Sequence, residues 1–233
     1  MPSASLPALT WREVTTAPTL ADGDLHLWRI DLGAQGGDPR DLLAHLAPRE
    51  QARALRLAVA SRRDAFVRAH AGLRRILALY LGEAPSTIGF LVGTQGKPHL
   101  TGDPPPLHFN LTTAAGLALV GVARTRPLGV DCEHLAARGD LAGIARRMFP
   151  PEVAEAVLTT PEPHRLERFY RAWTALEAEV KADGRGLHHR RQGLDPDAAP
   201  AIHHCIPEAG YIAAVAAVGL GPAGAWDSLV LKF

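Results

Sequence analysis

Apolar and polar positions change period along this chain, and the changes mark its elements. Residues 24–32 alternate polar and apolar, the period of a half-buried strand. Residues 33–39 read as a loop, after which a helical period takes over and breaks near Pro48. Residues 61–81 predict a long helix whose apolar line includes Phe66, Leu73, Leu77 and Leu81, with Ser61 as N-cap and Gly82 as stop. A short strand over 87–92, a turn over 93–98 and a stiff connector at Pro104, Pro105 and Pro106 follow. Two strands are then expected over 107–111 and 117–123.

After a short linker at Thr125, Arg126 and Pro127 the pattern starts again. A strand over 128–132 leads into helices over 141–148, 151–158 and 164–182. Gly184, Arg185 and Gly186 end the last helix, and weak strands follow near 201–206, 211–218 and 228–232. Both parts therefore order as strand, helices and strands, which predicts an α+β chain of two similar α/β halves, 1–124 and 125–233.

Composition adds exclusions. The chain has 233 residues, 47% of them apolar, enough to bury a real core. Its formal net charge is +1, so no global field points to nucleic acid. No run of eighteen apolar residues predicts a membrane span, and residues 1–7 lack the basic and apolar regions of a secretory leader. Two cysteines, Cys132 and Cys205, make no disulfide framework. A cytoplasmic protein is expected. Of 25 basic residues only Lys97, Lys181 and Lys232 are lysines, which marks positions where a compact ammonium is used instead of a planar fork.

Two segments carry candidate chemistry. In Gly129-Val130-Asp131-Cys132-Glu133, the two acids stand at i and i+2 of a strand and so share a face. Side-by-side carboxylates repel unless a cation or proton sits between them. The pair reads either as solvated acids at a strand end or as oxygen ligands for a hard cation such as Mg2+. Cys132, on the other face, is expected in the core.

Trp173, Glu177 and Lys181 recur every four residues and form one row on a helix, beside an apolar stripe of Phe169, Leu176 and Val180. Glu177 and Lys181 read as an ordinary helix pair or as a phosphate-facing pair, and Trp173 as a core anchor. Eight arginines between Arg49 and Arg75 form either a solvated basic face or a phosphate-binding surface. Neither His188 with His189 nor His203 with His204 makes a convincing chelate, since neighbours on a strand face opposite ways.

Together these segments resemble the phosphopantetheinyl transferases, specifically the two-halved monomeric type that serves peptide and polyketide synthases. Residues 129–133 match the family's Gly-x-Asp-x-Glu motif, and residues 173–181 match its Trp-x-x-Lys-Glu-x-x-x-Lys motif with one departure. Gly96-Lys97-Pro98 matches a Gly-Lys-Pro turn, and Phe109-Asn110-Leu111-Thr112-Thr113 stands in the place of Phe-Asn-Leu-Ser-His. The resemblance implies a pseudo-twofold pair of halves with the active site at their interface. It implies transfer of the phosphopantetheine arm of coenzyme A to a serine of an acyl or peptidyl carrier protein, with release of 3′,5′-ADP.

Carried over by position, Asp131, Glu133 and Glu177 would hold Mg2+, with Mn2+ as a substitute. Lys181 would contact phosphate and stabilise the leaving charge. Lys97 and Pro98 would lie against the nucleotide, Arg53 near its 3′-phosphate, and Thr112 and Thr113 beside the phosphates. Glu177 or a metal-bound water, positioned by Asp131 and Glu133, would take the serine proton. The expected partners are coenzyme A and the apo carrier, with no nucleic acid and no membrane, and the working unit a monomer.

Two departures bear on activity. Leu176 replaces the family's Lys, and Thr113 replaces its His. By the resemblance each removes a cation or donor near the phosphates, at about 1.5–3 kcal/mol for a charge-assisted bond, and weaker coenzyme A binding is expected. Two other readings stay open on the residues alone. One is a repurposed homologue that binds coenzyme A or a carrier without catalysis. The other is an unrelated Mg2+-dependent phosphohydrolase, which would need no carrier.

Overall fold

The structure, a computed structural model, describes residues 5–102, 107–137, 139–184 and 199–231. The proline run at 104–106, the pairs His188-His189 and Arg190-Arg191, and Arg185 and Gly186 lie outside the described residues.

The chain is α+β, with three sheets among the described residues. The first has five strands in the order β1 (Arg12–Val14), β10 (Asp227–Leu231), β2 (His26–Asp31), β6 (Leu117–Ala123), β5 (His108–Ala114). The second has three, in the order β7 (Leu128–His134), β9 (Tyr211–Ala217), β8 (Ala201–Cys205). A small hairpin joins β3 (Phe90–Val92) to β4 (Pro98–Leu100). The helices are α1 (Pro39–Leu42), α2 (Pro48–Leu55), α3 (Ala60–Leu81), α4 (Leu141–Met148), α5 (Pro151–Leu158) and α6 (His164–Asp183).

Strand alternation sorts these elements into layers. Every residue of β6 is buried, because both of its faces are covered. Ala118, Val120 and Val122 pack with Leu73, Ile76 and Leu77 of α3, while Leu117, Leu119 and Ala123 pack with Leu128, Val130 and Cys132 of β7 and Val215 of β9. The far side of the second sheet meets α6 through Ala178, Ala182, Ala214 and Ala216. The order is helix, sheet, sheet, helix.

Some boundaries differ from the expectation. Helix α3 begins at Ala60 after Val59, which offers no side-chain cap, so Ser61 lies inside the helix. Gly82 does end it, at a φ of 68° with its N–H on Ala78 O. Pro48 opens α2 instead of merely breaking a helix, since its missing N–H is harmless in a first turn. Thr87 belongs to a 3-10 turn, and the strand starts at Phe90. The final strand, β10, runs parallel to both β1 and β2 in the first sheet, so the chain returns to that sheet at its end. Sequence spacing alone carried no signal for this non-local pairing.

Candidate active site

The site is built where α6 crosses β7. Gly129, Asp131 and Glu133 share one face of β7, opposite the core residues Leu128, Val130 and Cys132. A Cβ on Gly129 would lie 1.9 Å from Ala178 O and 2.4 Å from Ala182 N. The glycine, with the alanines of α6 and β9, therefore lets the helix backbone settle on the strand. This close approach brings the row Trp173, Glu177 and Lys181 over the two acids.

The contacts are specific at both ends of the row. Trp173 Nε1 donates to Glu133 Oε1 at 3.0 Å. Lys181 Nζ lies 2.6 Å from Asp131 Oδ1. The ring of Trp173 also stacks on Phe169, with centroids 6.2 Å apart. Trp173 is thus both a packing anchor and a donor to a carboxylate.

The first sheet contributes a third wall. Asn110 Oδ1 accepts from Val130 N–H at 2.8 Å and fastens β5 beside β7. Two residues on, and on the same face, Thr112 Oγ1 donates to Asp131 Oδ1 at 3.2 Å and accepts from Lys181 Nζ at 3.4 Å. Asn110 carried no assigned role in the sequence reading. Its place two residues before Thr112 was the available signal.

Asp131 is only 5% exposed. Burial raises its carboxyl above the ordinary carboxylate range, against the opposing pull of Lys181, Thr112 and the Cys132 amide. Its Oδ2 is buried and has no hydrogen-bond partner among the described residues. Burial also raises Glu177; Lys181 opposes this, while Asp131 and Glu133 add to it. Three carboxylates thus feel one another, and one buried oxygen lacks a donor, which is the chemistry of an oxygen site for a hard cation. No set of three His, Cys, Asp or Glu side chains among the described residues already stands at metal-holding spacing. The Lys181 ammonium is the cation on Asp131 in this arrangement.

Other expected site residues lie around this centre. Thr113 is exposed, on the opposite face of β5 from Thr112. Lys97 stands in the turn of the β3–β4 hairpin and donates to Leu128 O at 3.0 Å and Ala182 O at 3.3 Å. Pro98 follows as the first residue of β4. Arg53 is exposed on α2, its guanidinium 5.0 Å from the centroid of the Phe66 ring. Among the neighbouring arginines, Arg74 is buried on Glu50 Oε2 at 2.5 Å and on two backbone carbonyls, and Arg68 holds Gly37 O and Leu32 O. Those two support the fold and are not free for phosphate.

Leu176 keeps to the apolar stripe expected of it with Phe169 and Val180. It is 7% exposed and packs in a cluster with Phe149, Phe169, Val180 and Ile212, not toward Thr112 and Asp131. One position on a helix turns the side chain by about 100°, and that step separates Leu176 from the row that Glu177 occupies. Cys132 and Cys205 are buried free thiols in the core between the sheets, as expected for Cys132.

A sequence model of the 4′-phosphopantetheinyl transferase superfamily matches residues 127–214, which include β7, α6 and the start of β9. The chain is 35% identical over 226 residues to the 4′-phosphopantetheinyl transferase HetI of Nostoc, spanning 91% of this chain and 95% of that one. It is 29% identical over 115 residues to a 4′-phosphopantetheinyl transferase of Bacillus subtilis, about half of each chain. It is 28% identical over 102 residues to the transferase Sfp of the same species.

Proposed function

This chain belongs to the 4′-phosphopantetheinyl transferase family and is an enzyme of that class, and we propose that it transfers the phosphopantetheine arm of coenzyme A to a serine hydroxyl of an acyl or peptidyl carrier protein. The observation that carries this reading is the convergence of Lys181, Asp131 and Thr112 from α6, β7 and β5, with Asp131 Oδ2 left without a donor among the described residues.

The reaction joins the serine oxygen to the phosphorus that bears the pantetheine arm. The bond from that phosphorus to the bridging oxygen breaks, and 3′,5′-ADP leaves with the bond's electrons. Lys181 can move from Asp131 to the phosphates, where its ammonium offsets the charge that develops on the leaving oxygen. Thr112 supplies a hydroxyl at the same point. Glu177, half-buried and raised by burial, is the chain's own base for the serine proton.

Asp131, Glu133 and Glu177 are the residues that would hold Mg2+ or Mn2+. Bound there, the ion would supply positive charge against the pyrophosphate oxygens. The orphaned Oδ2 of Asp131 and the mutual field of the three acids support this assignment. Trp173 would keep the Glu133 carboxylate aimed inward.

Arg53, Pro98, Thr112, Thr113 and a remaining donor of Lys97 form the nucleotide side of the reading. The division into halves 1–124 and 125–233, related by a pseudo-twofold with the site between them, belongs to the same proposal. So do a monomeric working unit, a cytoplasmic setting and the absence of nucleic acid as a partner. No described helix is long and apolar enough to cross a membrane.

The test is direct. Incubated with coenzyme A, Mg2+ and several apo carrier proteins, the enzyme should add the mass of one phosphopantetheine arm to at least one carrier. No gain on any carrier, with a positive-control transferase working in the same mixture, overturns the reading.

A further inference from the structure

Lys97 joins three segments that are far apart in sequence. Its turn is fixed by Gly93 N–H on Lys97 O and Gly96 N–H on Gly93 O, both 2.9 Å, with Gly96 at a φ of 86°. From there the side chain leaves the hairpin. Nζ donates to Leu128 O at 3.0 Å, in the first residue of β7, and to Ala182 O at 3.3 Å, in the last turn of α6. Leu128 stands three residues before Asp131, and Ala182 directly follows Lys181.

The helix acceptor needs a donor for a physical reason. The last four carbonyls of a helix have no partner within it. In α6, Gly184 N–H takes Val180 O, and Lys97 takes Ala182 O. A cation is also favoured at a helix C-terminus by the aligned peptide dipoles. The Lys97 stem lies against Gly184, where an added Cβ would meet Cδ at 3.4 Å. An ammonium has three donors, so two are committed to backbone before any ligand arrives.

We propose that Lys97 is a positioning residue, whose ammonium locks the last turn of α6 to the start of β7 and so sets the Lys181–Asp131 contact. This rests on the reading of Asp131 and Lys181 as parts of the transfer site. It gives Lys97 a task separate from touching the nucleotide. Partial burial lowers its ammonium to about 8, with Asp183 opposing the shift, which agrees with carbonyl partners in place of a carboxylate.

Lys97→Met keeps the stem and removes the donors; Lys97→Arg can still reach two carbonyls. Amide hydrogen exchange without coenzyme A should be about tenfold faster in Lys97→Met than in wild type over the end of α6 and the start of β7, the loss of roughly one to two hydrogen bonds. With coenzyme A and carrier, kcat should fall more than the KM for coenzyme A rises, and Lys97→Arg should recover part of both effects. Should Lys97→Met not fold, Lys97→Gln, with a donor for one carbonyl, carries the same comparison. Unchanged exchange together with a raised KM and a wild-type kcat overturns the proposal and makes Lys97 a nucleotide contact only. The exchange measurement needs no turnover, so a wild-type protein without transferase activity would sink the proposed function while leaving the clamp to be decided by exchange.

Discussion

Lys181 Nζ stands 2.6 Å from Asp131 Oδ1, while the other oxygen of the same carboxylate is buried without a partner among the described residues. One half of the group is satisfied by an ammonium and the other half is open to a cation. Asp131→Asn should therefore keep the fold, since an amide fills the same volume and its oxygen can still face Lys181. Transfer should drop by at least about a hundredfold, the scale of a lost metal ligand, and the thermal shift produced by Mg2+ should vanish. Carrier mass analysis and a melting curve with and without Mg2+ check both halves. Full activity in the variant removes Asp131 from the site.

Gly129→Ala tests the close approach that builds the site. Its Cβ would meet backbone atoms of α6 at 1.9 and 2.4 Å, and a helix backbone cannot yield as a flexible side chain can. The expected destabilisation is about 1–3 kcal/mol. Activity should fall further than stability, because α6 must lift Glu177 and Lys181 away from β7. Urea unfolding and transfer assays give the two numbers, and wild-type behaviour in both would show that α6 has slack.

Leu176→Lys separates resemblance from packing. A side chain 7% exposed among Phe149, Phe169, Val180 and Ile212 loses about 2 kcal/mol or more when it becomes an ammonium. The melting temperature should drop by several degrees, and calorimetry should show coenzyme A bound no more tightly. Tighter binding at unchanged stability would place residue 176 among the phosphates after all.

His26 supplies a pH dependence away from the site. Trp28 Nε1 donates to Tyr80 OH at 2.8 Å, and His26 Nδ1 lies 2.7 Å from the same hydroxyl. Burial lowers the His26 pKa first, Asp227 and Asp24 oppose this, and Arg12 adds to it. The unfolded chain takes a proton near the usual value of about 6.5, before the folded one does. Stability from this residue is complete above that value and is lost as pH falls below it toward the folded pKa. Urea midpoints should fall between pH 7 and pH 5, and His26→Gln should flatten that slope. An identical slope in the variant would assign it to other groups.

The legible part of the chain was the local part. The seven-residue apolar run of β6, the three helices of the second half and the left-handed Gly82 follow from period and turn chemistry within a few residues of each position. The shared face of Asp131 and Glu133, and the row Trp173, Glu177 and Lys181, follow from the periods of strand and helix. The apolar stripe of Phe169, Leu176 and Val180 was legible from helical period as well, whereas matching a motif says which residue type stands at a position and not which way a helix turns it. Asn110 and the seat of β10 depend on contacts between segments 20 and some two hundred residues apart, which no local period records.

The sequence by itself determined the α+β class, the two carboxylate segments and the family they resemble, because residue spacing fixes which side chains share a face. Only the tertiary structure decided how those faces meet. A glycine and a patch of alanines set the distance between α6 and β7, Asn110 brings Thr112 to the same carboxylate, and Lys97 ties the ends of both elements together. Spacing specifies direction along one element. The separation between elements depends on what fills the gap, and that is a property of packing.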